Sequence, residues 1–133
     1  MSKNALPIDK NIPILVVDHL PMVRRMVKNC LRQLGFENVH EAEDGAGAVQ
    51  QLKTDSFSLV ISESEMPDMR PDQLINYVRK SESTGDAPVL FIASATSKSV
   101  KNFEDQKSGV IVKPFTAQQI HEKLATILES RDD

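Results

Sequence analysis

Three places in the chain set charged or ligating side chains directly behind apolar runs. Asp18 and His19 follow Ile12 to Val17, while Glu63, Ser64 and Glu65 follow Phe57 to Ser62. Lys113 follows Val110-Ile111-Val112 and precedes Pro114. Carboxylates grouped this way can ligate a divalent cation, and Asp18, Glu63 and Glu65 are the candidate metal set. An imidazole beside them would favour Zn2+, Ni2+ or Cu2+. The bland alternatives are a solvated acidic rim balanced by Lys113 and a surface histidine, and the residue types alone favour these. Other chemistries find no support. The chain has no Gly-x-Ser-x-Gly elbow, no Gly-x-x-x-x-Gly-Lys phosphate cradle and no His/Cys metal spacing, and only five glycines in all. No enzymatic activity is expected.

The elements that must position these residues are legible as periodicity. Ile12–Val17, Phe57–Ser62 and Pro88–Ile92 are short apolar runs without alternation, the pattern of strands covered on both faces. Val39–Ala42 is a weaker strand, and Val110–Val112 is the fifth. Between them the spacing becomes helical. Met22, Val23, Met26, Val27, Cys30, Leu31 and Leu34 form one stripe, with Gly35 as the stop. In this pattern Met22, Met26 and Cys30 read as packing residues, and Arg24, Arg25, Lys28 and Arg32 as a solvated face. Ala48, Val49 and Leu52 mark a second helix ending near Lys53. Pro71 opens a third, with Leu74, Ile75 and Val78 on its inner stripe. The polar stretch from Ala93 to Lys107, anchored only by Val100 and Phe103, supports at most a short helix. Thr116 caps the last helix, which carries Ile120, Leu124, Ile127 and Leu128.

Five strands alternating with five helices predict a doubly wound five-stranded parallel sheet with helices on both faces. In such sheets ligands sit beyond the carboxyl ends of the strands, where strand order reverses. That end would gather Asp18, Glu63, Glu65 and Lys113, with Lys113 lying between Asp18 and Glu63. The 133 residues suit one domain spanning 1–133, with a core of about 12–129 and loose tails at 1–8 and 130–133. A composition of 40% hydrophobic and 26% charged residues is that of a globular protein. The net charge of −3 argues against a nucleic-acid partner, and no apolar run is long enough for a membrane span. The lone Cys30 cannot form an internal disulfide, and the amino terminus carries no apolar signal region, so a cytoplasmic location is expected.

Specific stretches resemble a known family. Ile14-Leu-Val-Val-Asp18, Val23 to Leu31 leading to Leu34-Gly-Phe36, Glu41-Ala-Glu-Asp-Gly45, Met66-Pro67 and Val112-Lys-Pro-Phe-Thr116 together resemble the receiver domain of two-component response regulators, most closely the CheY type. The resemblance implies a flavodoxin-like fold and a cis peptide before Pro114. It also implies phosphoryl transfer to an aspartate ending the third strand, with Mg2+ held by an acidic pair, a Thr or Ser after strand four, and a lysine. Asp18 and Lys113 match that pattern. His19 stands where the second acidic residue is expected, and Glu63 where the phosphoacceptor aspartate is expected. Glu65 falls where a backbone carbonyl ligates the metal, Ala93 at the Thr/Ser position, and Val110 at a position often filled by an aromatic switch residue.

Each departure weakens the phosphoryl chemistry. The additional methylene of Glu63 carries its carboxylate roughly 1.5 Å further, and a misplacement of about 1 Å already costs about 10²-fold in an in-line reaction. Ala93 offers no hydroxyl. His19 makes the site poorer for Mg2+, which prefers hard oxygen ligands. The expectation is a degenerate pseudo-receiver that binds protein partners without phosphorylation, takes up Mg2+ weakly or not at all, and uses no other cofactor. The resemblance points to the face of the fourth helix, fifth strand and last helix for such partners, through Lys98, Lys101, Phe103, Val110, Val112, Gln118, Gln119 and Glu122. A homodimer through that face is an alternative. The rival functions are phosphotransfer through Glu63 or the nearby Asp68, and a divalent-metal-dependent binding module.

Overall fold

The computed structural model describes residues 9–94 and 108–129. Five strands, β1 (Ile14–Val17), β2 (Val39–Ala42), β3 (Leu59–Glu63), β4 (Val89–Ala93) and β5 (Ser108–Val112), form one parallel sheet in the order β2-β1-β3-β4-β5. The helices among the described residues are α1 (Pro21–Gln33), α2 (Gly45–Thr54), α3 (Pro71–Lys80) and α4 (Ala117–Glu129). The flavodoxin-like fold expected from the sequence is the one observed. Most of the polar stretch expected to carry an additional short helix lies outside the described residues, as do both expected tails. Lys98, Lys101 and Phe103 lie outside them too.

The apolar strands are buried on both faces because alternate side chains serve two separate cores. Ile14, Val16, Leu59, Ile61, Leu90 and Ile92 pack with Val27 and Leu31 of α1 and Ile120, Leu124 and Ile127 of α4. Leu15, Val17, Val60, Val89 and Phe91 pack with Ala48 and Leu52 of α2 and Leu74 and Val78 of α3. Burying each large side chain contributes about 1.5–3 kcal/mol.

Local signals set the helix ends. Asp44 caps α2 by accepting the Gly47 amide at 2.7 Å. Thr116 and Gln119 form a reciprocal box at the start of α4, with the Gln119 amide donating to Thr116 Oγ1 at 3.1 Å and the Thr116 amide donating to Gln119 Oε1 at 2.8 Å. Gly35 follows α1 with φ of +98°, a left-handed conformation that a side chain would strain. Pro13, read as part of the first strand, lies just before β1 and contributes its carbonyl to the Ser58 amide at 2.9 Å.

Two sequence expectations on α1 require correction. Met22 is 74% exposed and Met26 45% exposed, so neither is a core residue. The stripe is rotated so that Val27 and Leu31 carry the packing, with Val23, Cys30 and Leu34 partly buried at its edge. The basic face is also only partly solvated. Arg24 Nε donates to Glu41 Oε1 at 2.9 Å and Lys28 Nζ to Glu41 Oε2 at 3.0 Å, tying α1 to β2.

Candidate functional site

The strand order reverses between β1 and β3, and this is where the chemistry-bearing residues meet. Val17 is in register with Ser62, which sets Asp18 beside Glu63 one step further on. Ladder bonds continue past the strands: the Asp18 amide donates to the Ala42 carbonyl, the Ser64 amide to Ile92 and the Lys113 amide to Ala93. All three strand ends therefore open on one end of the sheet, as the sequence predicts. The Lys113–Pro114 peptide is cis, as the resemblance implies.

Asp18 and Glu63 are 2% and 5% exposed, so they are not a solvated rim. That expectation fails because the apolar strands run to their very ends, β3 including Glu63 itself. Asp18 Oδ1 accepts the Leu20 amide at 2.9 Å, turning the chain into α1, while Oδ2 is buried and has no hydrogen-bond partner among the described residues. Burial away from water raises the Asp18 pKa, and repulsion from Glu63 adds to it; the Leu20 amide, Lys113 and His19 oppose the rise. Arg24 donates to the Asp18 carbonyl at 2.6 Å, which fastens the backbone at this point to the Arg24–Glu41 pair.

The partner of Glu63 is His19, not Lys113. Glu63 Oε2 accepts the His19 backbone amide at 2.6 Å and lies 2.6 Å from His19 Nδ1. Lys113 is half-buried and makes no ion pair with either carboxylate, acting on Asp18 only through space. The longer glutamate side chain reaches across to the residue after β1, and the adjacent ring supplies a second polar atom in the same direction. His19 is thus no independent surface group, although its ring remains 44% exposed.

Glu65 does not join this cluster. It is exposed and accepts a bond from Ser94 Oγ at 3.3 Å. The groups that share one spot are Asp18, His19 and Glu63, whose ligating atoms lie within 4.8 Å of one another. Ala93 ends β4 with 1% exposure and brings only a methyl group to the site. Ser64 is buried with its Oγ unpartnered among the described residues. Asp68 is turned elsewhere, its two oxygens accepting the Gly45 and Ala46 amides at 2.9 and 3.0 Å at the start of α2. The sequence signal for that contact is the helix start at Gly45, which favours a nearby carboxylate.

The described part of the expected partner face is accessible. Val112 is 47% exposed, Gln118, Gln119 and Glu122 are exposed, and Val110 is half-buried. A shallow recess of about 320 Å³ runs between β5 and α4, lined by Val110, Val112, Gln119, Glu122, Lys123 and Thr126.

Residues 14–125 match the response regulator receiver domain. The chain belongs to the response regulator receiver family. It is 42% identical over 125 residues to chemotaxis protein CheY-3 of Vibrio cholerae, covering 92% of this chain and 95% of that protein. It is 40% identical over 119 residues to chemotaxis protein CheY of Pseudomonas aeruginosa, covering 87% and 95%. Among solved structures, the chemotaxis response regulator CheY4 of Vibrio cholerae superposes with a TM-score of 0.74 at 28% identity, covering 88% of this chain and 98% of that one. This receiver is therefore of the chemotaxis type in sequence and fold. Among the described residues, no helix is long and apolar enough to cross a membrane.

Proposed function

We propose that this receiver is a pseudo-receiver, a cytoplasmic protein-interaction module of chemotaxis-type or two-component signalling that works without phosphorylation. The observation that carries this reading is the engagement of Glu63 Oε2 by both the amide and the ring of His19. A carboxylate held in this way has Oε2 drawn toward the residue after β1, whereas a phosphoacceptor must present an oxygen in line with the donor. Ala93 supplies no hydroxyl to steady a transferred group, and Lys113 makes no ion pair with Glu63. Asp68, the other candidate acceptor, has both oxygens on the α2 amides.

The Mg2+ that the resemblance implies does not fit the donor set. An imidazole replaces one hard oxygen, while Mg2+ demands a near-octahedral oxygen shell. The module needs no cofactor for its interaction role. A protein partner on the β5–α4 face is favoured by the exposure of Val112 and the recess beside it, a homodimer through the same face being the alternative. The acidic balance favours neither nucleic acid nor a membrane surface as partner.

Incubation with Mg2+ and acetyl phosphate, followed by intact-mass measurement, tests the reading. No adduct is expected on the parent chain. A covalent phosphoryl group on Glu63 or Asp68 overturns it.

A further inference from the structure

The site that fits Mg2+ poorly has features that a different ion would satisfy. Asp18 Oδ2 is a carboxylate oxygen on a side chain only 2% exposed, with no hydrogen-bond partner among the described residues. An orphaned buried acceptor of this kind calls for an explanation, and an ion is one of the few groups that supplies it. The other oxygen of the same carboxylate, Oδ1, lies 3.8 Å from His19 Nδ1, which in turn lies 2.6 Å from Glu63 Oε2. The three ligating atoms lie within 4.8 Å of one another.

We propose that Asp18, His19 and Glu63 form a site for a transition-series divalent cation of the Zn2+ class, exchanging the family's alkaline-earth preference for mixed nitrogen and oxygen ligation. Imidazole suits Zn2+, Ni2+ and Cu2+, whereas Mg2+ is served by oxygen ligands. The distances are compatible. Ligands about 2.0–2.1 Å from a tetrahedral Zn2+ lie about 3.3–3.4 Å from each other. His19 Nδ1 is 2.6 Å from Glu63 Oε2 and 3.8 Å from Asp18 Oδ1, so shifts of less than about 1 Å complete the geometry. Binding replaces the His19–Glu63 hydrogen bond with two bonds to the ion, and any proton carried by Nδ1 leaves to solvent. Because the His19 ring is 44% exposed, an approach path exists and a fourth position stays open to water or to a ligating group from a partner. Charge favours binding as well. Two buried carboxylates carry a formal −2, and a dication neutralises what Lys113 relieves only from a distance.

This inference stands apart from the absence of phosphorylation, since it concerns which ion the pocket holds and is read without any phosphodonor. Calorimetric titration of the parent with ZnCl2 and separately with MgCl2 tests it, beside His19→Ala, His19→Asp and a His40→Ala/His121→Ala control. The parent is expected to take one Zn2+ per chain and to bind Mg2+ about 100-fold more weakly or worse. His19→Ala should weaken Zn2+ by about ten-fold or more, and His19→Asp should narrow the gap between the two ions. The control should bind Zn2+ like the parent. Absence of saturable Zn2+ binding, equal affinity for Mg2+, or loss of Zn2+ in the control instead of in His19→Ala overturns the proposal. If the His19 variants fail to fold, ring nitrogen NMR of the parent decides. The His19 resonances must move on adding ZnCl2, and movement confined to His40 or His121 overturns the assignment.

Discussion

Replacing Asp18 by asparagine should make this protein more stable, and the structure indicates by how much. The carboxylate is almost wholly out of water, one oxygen holds a single amide bond and the other holds none among the described residues. Its neighbour Glu63 has a ligating oxygen within 4.8 Å. Two carboxylate charges at that separation repel by about 3–4 kcal/mol at an effective dielectric of about 20. A carboxamide is close to isosteric with a carboxylate, so Asp18→Asn removes that repulsion and the desolvated charge without opening a cavity. Against the gain stand the lost attractions to Lys113 and His19, and a weaker bond from the Leu20 amide, the last worth about 1 kcal/mol. A net gain of about 1–2 kcal/mol is expected. Urea unfolding followed by far-ultraviolet circular dichroism at pH 7 in EDTA measures it. With a slope of about 2 kcal/mol per molar, the midpoint should rise by about 0.5–1 M. A midpoint below the parent's would mean that the Asp18 charge is a net stabiliser, and the account of a strained, metal-seeking pocket would fall with it.

Gly45→Ala should destabilise by about 1–3 kcal/mol, although helix propensity alone favours alanine, because a Cβ there would meet Met69 Cβ at 2.6 Å; thermal melting gives the sign. Arg24→Ala should cost about 1–2 kcal/mol through the stranded Asp18 carbonyl, and Lys28→Ala less than about 0.5 kcal/mol, a ranking that urea midpoints will show. The pH profile of stability should carry a small contribution from Glu41, whose pKa is lowered chiefly by its bond from Lys28 and also by Arg24. Its folded value lies below its unfolded one, so that contribution is complete above the unfolded pKa near 4.5 and disappears as pH falls through the folded value. Glu41→Gln should flatten the stability curve in that acid window by less than about 1 kcal/mol, given the solvent exposure of the pair.

The fold was legible because burial on both faces leaves an unmistakable trace. Leu15 and Val16 serve opposite cores, yet both must be apolar, and the same holds through β3 and β4. The positions of Asp18, Glu63 and Lys113 at one end of the sheet followed from the parallel topology. Which of them touch did not follow. The His19–Glu63 contact spans 44 residues and depends on the reach of one side chain across the β1–β3 register, a quantity no periodicity encodes. Formal charge suggested Lys113 as the partner, but a lysine at the end of β5 is separated from β1 by both β3 and β4. Helical spacing likewise marks an apolar stripe without fixing its rotation, and so Met22 and Met26 were placed inside when they lie outside.

The shared oxygen of Glu63 also constrains how this sequence can change. Glu63→Asp alone shortens the side chain by a methylene, leaving the His19 amide and ring without the acceptor they now share. His19→Asp alone sets a third carboxylate beside two that are already buried together. Either single step toward the ordinary receiver pattern is thus destabilising, and making both still leaves three carboxylates in one pocket, so neither change rescues the other.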